Sequence, residues 1–185
     1  AVCFLLLGTR SSAALKAENL FLRKQLALAL LSNLLAWKEA LVIVKPDGVQ
    51  RGLVGKILAR FEERGLKIVA LKLLQVSRAL AEKHYAVHQG KFFYEGLVNY
   101  IGASPVAVMV LEGHEAIGVV RKMVGATRPW EAEAGTIRGD YALMGLRNLM
   151  HASDAPDTAA SEIALWFKPE ELVAYTRESD RWVNE

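Results

Sequence analysis

The run Leu41-Val42-Ile43-Val44-Lys45-Pro46-Asp47-Gly48 decides how the rest of the chain is arranged. Its four apolar, mostly β-branched residues predict a buried strand, and the Pro-Asp-Gly sequence that follows predicts a turn. The next segment, 52–64, repeats apolar residues at helical spacing and stops at Gly65, a good helix terminator. The folded part of the chain therefore begins with a strand, a turn and a helix.

The later segments continue this alternation. They predict a strand at 66–76, helices at 77–85 (capped by Ser77) and 93–100, a strand at 105–111, a helix at 114–124 ending at Gly125, a loop at 126–147, a strand at 149–151 and a helix at 157–167. This order is βαββαβ with insertions, which indicates an α+β fold, the ferredoxin-like sandwich with a four-stranded antiparallel sheet. A loop of about twenty residues in a compact domain is usually functional.

Composition restricts the class of protein. With 185 residues, 52% of them hydrophobic, the chain can form one well-cored domain plus an appendage. Cys3 is the single cysteine, so no internal disulfide is possible and a reducing compartment is expected. The net charge of +3 is contributed by residues 1–37, which leaves the remainder neutral. A nucleic-acid-binding protein that uses the basic N-terminal segment stays an alternative, but the neutral domain predicts no specific nucleic-acid partner.

Residues 1–38 predict a leucine-rich helical extension that precedes a domain at 39–185. The helix is expected to begin near Ser11 or Ser12 and to pack on the domain or on a partner subunit. Its longest uncharged run, 25–37, is shorter than the roughly 18–20 residues that a membrane span requires. Charges also interrupt the apolar region, unlike in a clean signal peptide. We therefore expect a cytoplasmic protein, with an organelle as the alternative if the segment is a cleavable targeting leader.

One part of this extension has a resemblance of its own. The run Ala17-Glu18-Asn19-Leu20-Phe21-Leu22-Arg23-Lys24-Gln25-Leu26-Ala27-Leu28 resembles a helical segment of integrase-type transposases, and the similarity continues to Val42. It includes none of the carboxylates with which such enzymes cut DNA. The resemblance therefore suggests a fusion scar and gives no reason to predict transposition.

The stretch Asn148-Leu149-Met150-His151-Ala152-Ser153-Asp154 is the best candidate for chemistry. A short apolar run precedes a histidine, and small and polar residues follow it directly. Because histidine titrates near neutrality, His151 can serve as a nucleophile without a strong base beside it. The alternative is a histidine that caps the strand for packing reasons.

Cationic and hydroxyl side chains collect around the long loop. They are Lys45, Arg121, Thr127, Arg128, Arg138 and Arg147. Arginine offers paired donors that suit phosphate oxygens, although each of these charges alone could be an ordinary solvated residue. Their joint placement at strand ends and loops near the candidate histidine favours a phosphate site.

Other common sites are excluded by pattern. The chain has no Gly-x-x-x-x-Gly-Lys-Ser/Thr motif, no dinucleotide-binding glycine fingerprint and no Cys/His set at zinc spacing. His84, His88 and His114 are predicted to be packing or surface histidines, because no orienting partner is evident for them in the sequence.

Three long motifs, in order, resemble the nucleoside diphosphate kinase family. They are 44–55 (Val-Lys-Pro-Asp-Gly-Val-Gln-Arg-Gly-Leu-Val-Gly), 135–140 (Gly-Thr-Ile-Arg-Gly-Asp) and 148–154, and the match extends without gaps from about Glu39 to Glu185. The main departure is Ala152, where the family usually has glycine. We expect alanine to be tolerated there, since it fails only if the backbone requires a positive φ.

The resemblance implies a role for each candidate residue. His151 would be the phosphate-accepting nucleophile, Glu162 would hydrogen-bond the ring nitrogen that does not attack, and Ser153 would support Glu162. The phosphates and ribose would be bound by Lys45, Arg121, Thr127, Arg138 and Asn148, with Tyr85 beside the active site and Phe93 stacked on the base. On the residues alone, an ordinary helix-surface glutamate is the favoured interpretation of Glu162, and Phe93 could equally be a core aromatic.

The activity that the resemblance implies is a two-step, ping-pong transfer of the γ-phosphate from a nucleoside triphosphate to a nucleoside diphosphate. The substrates would be ATP, GTP and other nucleotides, with Mg²⁺ held mainly by nucleotide phosphates and water. A homo-oligomer is implied, a hexamer in preference to a tetramer, with the loop around Pro129 and the tail 182–185 at subunit contacts. A catalytically silent interaction module is the alternative, and the presence of both His151 and Lys45 argues against it.

Overall fold

A computed structural model describes residues 16, 18–27 and 37–183. The chain divides into two units, Ala1–Ala36 and Trp37–Glu185. Residues 18–27 of the first unit are helical, and their apolar side chains are exposed. The predicted start of this helix near Ser11 or Ser12 lies outside the described residues. Within the described ranges, we find no helix with the length and apolar character needed to cross a membrane.

The second unit contains four strands and eight helices among its described residues. The strands are β1 (Trp37–Val44), β2 (Lys67–Leu74), β3 (Val106–His114) and β4 (Met150–Ala152). The helices are α1 (Pro46–Gln50), α2 (Val54–Glu63), α3 (Arg78–His84), α4 (Tyr94–Ile101), α5 (Ala116–Val124), α6 (Ile137–Tyr141), α7 (Pro156–Trp166) and α8 (Asp180–Val183). Short 3-10 turns lie at Ala86–His88, Pro129–Glu131 and Pro169–Glu171.

The sheet has the order β2-β3-β1-β4 with every neighbouring pair antiparallel, which confirms the predicted α+β, ferredoxin-like arrangement. The central strand β1 pairs with β4 only near its end, where Ile43 lies opposite His151. Because Lys45 follows directly, this register brings the end of β1 and the candidate histidine to the same edge of the fold.

Helices cover both faces of the sheet, and this explains the uninterrupted apolar run of β1. Val42 and Val44 pack in one core with α2 and α5, while Leu41 and Ile43 pack in the other with α3, α4 and α7. A strand that is buried on both faces has no polar side, so its sequence shows no alternation. Gly65 and Gly125 adopt positive φ at the ends of their helices, as their positions predicted.

Several predicted boundaries and element assignments differ from the structure, among them the following three. Strand β1 begins at Trp37, so residues 37 and 38 belong to the sheet and not to the N-terminal extension. The predicted turn at 45–48 is the start of the short helix α1, for which Pro46 supplies a favourable first residue. The predicted loop 126–147 contains a 3-10 turn and α6, which Thr136 caps by accepting a hydrogen bond from the Gly139 amide.

Candidate active site

A cavity of about 400 Å³ opens beside the end of β1 and β4. All the predicted site residues except Ser153 line it: Lys45, Tyr85, Phe93, Arg121, Thr127, Arg138, Asn148, His151 and Glu162. Residues from distant parts of the sequence therefore converge on one cavity, in which cationic groups outnumber carboxylates.

The imidazole of His151 is held through one nitrogen. Its Nε2 lies 2.7 Å from Glu162 Oε1, and the second oxygen of that carboxylate accepts a hydrogen bond from Ser153 Oγ at 2.6 Å. Ser153 is fully buried, and its hydroxyl oxygen also accepts the Leu41 amide of β1 at 3.3 Å. Since the carboxylate accepts a hydrogen bond from Nε2–H, the neutral ring carries its free lone pair on Nδ1.

The Glu162 carboxylate stays ionised. Burial pushes its pKa upward, but the hydrogen bond and charge of His151, followed by the hydrogen bond from Ser153, outweigh burial and leave the pKa below its usual value. A carboxylate in this state can both fix the imidazole tautomer and stabilise a positive charge on the ring.

Lys45 is a buried residue of the cavity lining and is connected through Asn148 to Thr127. Its Nζ donates to Asn148 Oδ1 at 2.8 Å, and Asn148 Nδ2 donates to the Thr127 carbonyl oxygen at 3.0 Å. Burial, and then the nearby charge of Arg138, lowers the pKa of Lys45 to about 8, while Asp47 acts in the opposite direction. The ammonium group is therefore poorly neutralised and well suited to attract an anion.

Arg138 is committed largely to the backbone. Its guanidinium donates to the carbonyl oxygens of Asn148 at 3.0 Å, Met150 at 2.6 Å and Gly125 at 2.9 Å. Burial, and then the charge of Arg121, lowers the pKa of Arg138 to about 10, so it remains a cation at neutral pH. This side chain shapes the wall of the cavity as well as giving it charge.

The aromatic side of the cavity contains a residue that the sequence reasoning missed. His84 was predicted to be a packing or surface histidine, yet it lines the cavity with its ring centroid 4.6 Å from that of His151. Trp166 Nε1 donates to His84 Nδ1 at 3.2 Å, which supplies the orienting partner that no local pattern revealed. Burial, followed by the charge of His151, lowers the pKa of His84 to about 3 and keeps it neutral.

Tyr85 and Phe93 form the rest of this wall. The Tyr85 hydroxyl is buried without a hydrogen-bond partner among the described residues, and burial raises its pKa to about 12. Phe93 is partly buried and contacts His88 edge-on, at 5.6 Å between ring centroids. The cavity therefore has a cationic side and an aromatic side.

One group of side chains has the composition of a metal site. Ligand-type atoms of His84, His151 and Glu162 lie within 4.8 Å of one another. Hydrogen bonds already engage His84 Nδ1 and both Glu162 oxygens, and His84 Nε2 is buried. These residues thus form a hydrogen-bonded histidine cluster, and they do not present a set of free ligands to an ion.

Ala152 fits its position without strain. It lies within β4, and the positive-φ non-glycine residues of the described chain are Glu115 and Leu149. Alanine can therefore replace the usual glycine of the resembled family here.

Comparisons with known proteins find relatives over most of the chain. The profile of the nucleoside diphosphate kinase family matches residues 38–172. The chain is 55% identical over 148 residues to a nucleoside diphosphate kinase of Carboxydothermus hydrogenoformans, which covers 80% of this chain and 99% of the relative. It is 57% identical over 144 residues to the enzyme of Pelotomaculum thermopropionicum, with 78% and 97% covered.

Solved structures show the same likeness. A Halobacterium salinarum nucleoside diphosphate kinase in complex with CDP superimposes with a TM-score of 0.79 at 47% identity, covering 80% of this chain and 99% of that one. A Borrelia burgdorferi enzyme, solved as a transition state mimic with vanadate and ADP, gives 0.75 at 41% identity, with 79% and 96% covered. This chain belongs to the nucleoside diphosphate kinase family.

Proposed function

We propose that His151 Nδ1 is the nucleophile of this kinase, and that it accepts the γ-phosphoryl group of a nucleoside triphosphate and passes it to a nucleoside diphosphate. The observation that carries the proposal is the 2.7 Å contact of Nε2 with Glu162, which leaves Nδ1 as the nitrogen with a free lone pair. The cationic side chains of the same cavity favour a polyphosphate as the partner of that lone pair.

In the first step, the Nδ1 lone pair attacks the γ-phosphorus while the bond from that phosphorus to the β,γ-bridging oxygen breaks. The nucleoside diphosphate leaves with the electron pair, and Glu162 stabilises the positive imidazole ring. In the second step, a terminal oxygen of another diphosphate attacks the phosphohistidine and the N–P bond breaks. Phosphoryl transfer of this kind depends mainly on positioning and charge stabilisation, which Lys45 and Arg121 would provide.

The nucleotide would lie along both sides of the cavity. We propose that its phosphates and ribose contact Lys45, Arg121, Thr127, Arg138 and Asn148, and that its base stacks on Phe93. Stacking tolerates any base, because every base has a π-face. ATP and GTP are therefore both expected substrates. The buried Tyr85 hydroxyl, unpaired among the described residues, would donate to the transferred phosphoryl group.

A phosphotransferase of this family generally requires a divalent metal, and we propose Mg²⁺. Both oxygens of Glu162 are already hydrogen-bonded, whereas the Asp154 carboxylate lines the cavity with no hydrogen bond from a described residue. Mg²⁺ prefers oxygen ligands and retains several waters, so Asp154 would hold it through water while the nucleotide phosphates supply the remaining ligands. When bound, the metal would neutralise charge on the phosphate groups of the nucleotide.

We also propose that the chain forms a homo-oligomer, a hexamer in preference to a tetramer, and that it works in the cytoplasm. Exposed apolar side chains support self-association. Leu71 and Leu73 project from the edge strand β2, and Trp130, Leu143 and Met144 project from the loop around α6. Large apolar side chains that a folded domain leaves exposed are candidates for burial between subunits.

The proposal is tested by following the phosphoryl group. The enzyme is incubated with Mg²⁺ and γ-labelled ATP, freed of nucleotide, and then given GDP. We expect acid-labile label on the protein that leaves quantitatively as GTP. A folded protein that acquires no label, or whose label is not discharged by GDP, would contradict the ping-pong reaction.

The pH dependence of kcat/KM is expected to follow the deprotonation of the Lys45 ammonium group. Because its pKa is about 8, the ammonium form is lost as the pH rises through that value, so kcat/KM should decline above about pH 8. Bound phosphates favour the charged form, and kcat should therefore keep its value to higher pH than kcat/KM. Lys45→Arg, which stays charged, serves as the control: its kcat/KM should show no decline in this range. An unchanged decline in that variant would assign the titration to another group.

A further inference from the structure

The backbone just before His151 has an unusual conformation. Leu149 is fully buried and has a φ of 66°, in the left-handed region that favours glycine. The Met150 amide donates to the Asn148 carbonyl oxygen at 2.7 Å, two residues back. A hydrogen bond of this span around a positive φ is the rare, strained form of the γ-turn. Such a conformation persists only when the surrounding structure holds it in place.

The segment at the start of α1 holds both polar groups of Leu149. Asp47 Oδ2 accepts the Leu149 amide at 3.2 Å, and the Lys45 amide donates to the Leu149 carbonyl oxygen at 2.7 Å. Leu149 is therefore held by two hydrogen bonds, one to a side chain and one from a backbone amide of the Lys45-Pro46-Asp47 sequence, about a hundred residues earlier in the chain.

Tyr100 fixes the other oxygen of that carboxylate. Its hydroxyl donates to Asp47 Oδ1 from the last turn of α4, in a partly buried position. Burial, and then the hydrogen bond to Asp47, raises the pKa of Tyr100, so the hydroxyl remains a donor at every pH at which the enzyme would be assayed. With both oxygens engaged, the Asp47 carboxylate has one orientation, the one that faces the γ-turn.

We propose that Asp47 and Tyr100 are positioning residues for phosphoryl transfer, which act by holding the γ-turn at Leu149. The residues on either side of this turn carry the site. Asn148, one residue before it, binds Lys45 Nζ at 2.8 Å, and His151 follows two residues after it. A loosened turn would move both the Asn148 side chain, which orients Lys45, and the His151 imidazole, which attacks phosphorus. This inference rests on the proposed role of His151 and adds two residues that would contact neither the nucleotide nor the metal.

The test compares the rate of phosphohistidine formation at saturating ATP in four variants. Asp47→Ala removes both acceptors, Asp47→Asn keeps an acceptor for the Leu149 amide, and Tyr100→Phe removes only the hydroxyl. Tyr94→Phe, on the same helix, is the matched control, since the Tyr94 hydroxyl makes no hydrogen bond with a described residue. Rapid-quench measurements below neutral pH keep Lys45 protonated, and circular dichroism at the same temperature establishes that each variant is folded.

We expect a loss of about 100-fold for Asp47→Ala, since displacements of about 1 Å at a reactive group have effects of this size. Asp47→Asn should recover most of the rate, Tyr100→Phe should show a smaller loss, and Tyr94→Phe should match the wild type. A folded Asp47→Ala protein with the wild-type rate would overturn the proposal. If Asp47→Ala does not fold, Tyr100→Phe decides, and a folded Tyr100→Phe protein with the wild-type rate, whatever its melting temperature, would overturn the proposal. Absence of phosphoenzyme in the wild type would instead contradict the role of His151.

Discussion

Replacing His151 by alanine is expected to abolish the enzyme's phosphoryl transfer while leaving the fold intact. Among the described residues, His151 is the only histidine that both lies in the cationic cavity and has a carboxylate to orient its ring, with Nε2 at 2.7 Å from Glu162. Loss of the nucleophile from a covalent mechanism typically lowers the rate by about 10⁴-fold or more. We therefore expect no acid-labile label from γ-labelled ATP and no formation of GTP from GDP.

The matched control for this variant is His114→Ala. His114 is exposed at the end of β3 and outside the cavity, so its removal should leave phosphoenzyme formation unchanged. His84→Ala is a less suitable control, because His84 contacts the His151 ring. Stoichiometric labelling of the His151→Ala protein would show that another residue accepts the phosphoryl group.

The position of the candidate site was largely predictable because its motifs are local in sequence. The Lys45-Pro46-Asp47 and Asn148–Asp154 segments place candidate side chains on neighbouring strands, with Lys45 directly after β1 and His151 within β4, and the register of β1 with β4 brings these two residues close together. The continuous apolar run of β1 likewise indicated its burial. Such features depend on side-chain type and order, which the sequence displays directly.

Other features depend on partners far away in the chain and could not be predicted in this way. Helix α6 is only five residues long and includes Gly139, yet it is stabilised by the Thr136 cap and by Arg60, which donates to Asp140 at 2.8 Å. The place of His84 in the cavity could not be predicted, because its hydrogen-bond donor, Trp166, lies 82 residues away. Leucine rarely adopts a positive φ, so no pattern indicated the γ-turn at Leu149.

A second large effect is expected for Arg138→Lys, this time on stability as well as activity. The guanidinium donates to three carbonyl oxygens, those of Gly125, Asn148 and Met150, from a buried position. Lysine keeps the charge, but its single nitrogen cannot reproduce the planar fork that reaches all three. Loss of two charge-assisted hydrogen bonds in the interior lowers the free energy of unfolding by about 3 kcal/mol.

For a domain of this size, a change of about 3 kcal/mol lowers the melting temperature by about 6–12 °C. Two of the three carbonyls flank Leu149, so the γ-turn should loosen and phosphohistidine formation should slow even at temperatures where the variant is folded. Arg121→Lys is the matched control. Arg121 is exposed in the same cavity, so its replacement should weaken nucleotide binding with little change in melting temperature.

The two measurements separate the functions of the two arginines. Calorimetry of both variants without nucleotide reports the hydrogen bonds to the backbone, and KM for ATP reports contact with phosphate. Equal melting temperatures for Arg138→Lys and the wild type would mean that the three carbonyl contacts contribute nothing to stability. The same guanidinium holds the backbone on both sides of Leu149. If the folded Arg138→Lys variant is less stable but keeps the wild-type rate, the γ-turn keeps its geometry without Arg138. Asp47 and Lys45 would then suffice to hold the turn.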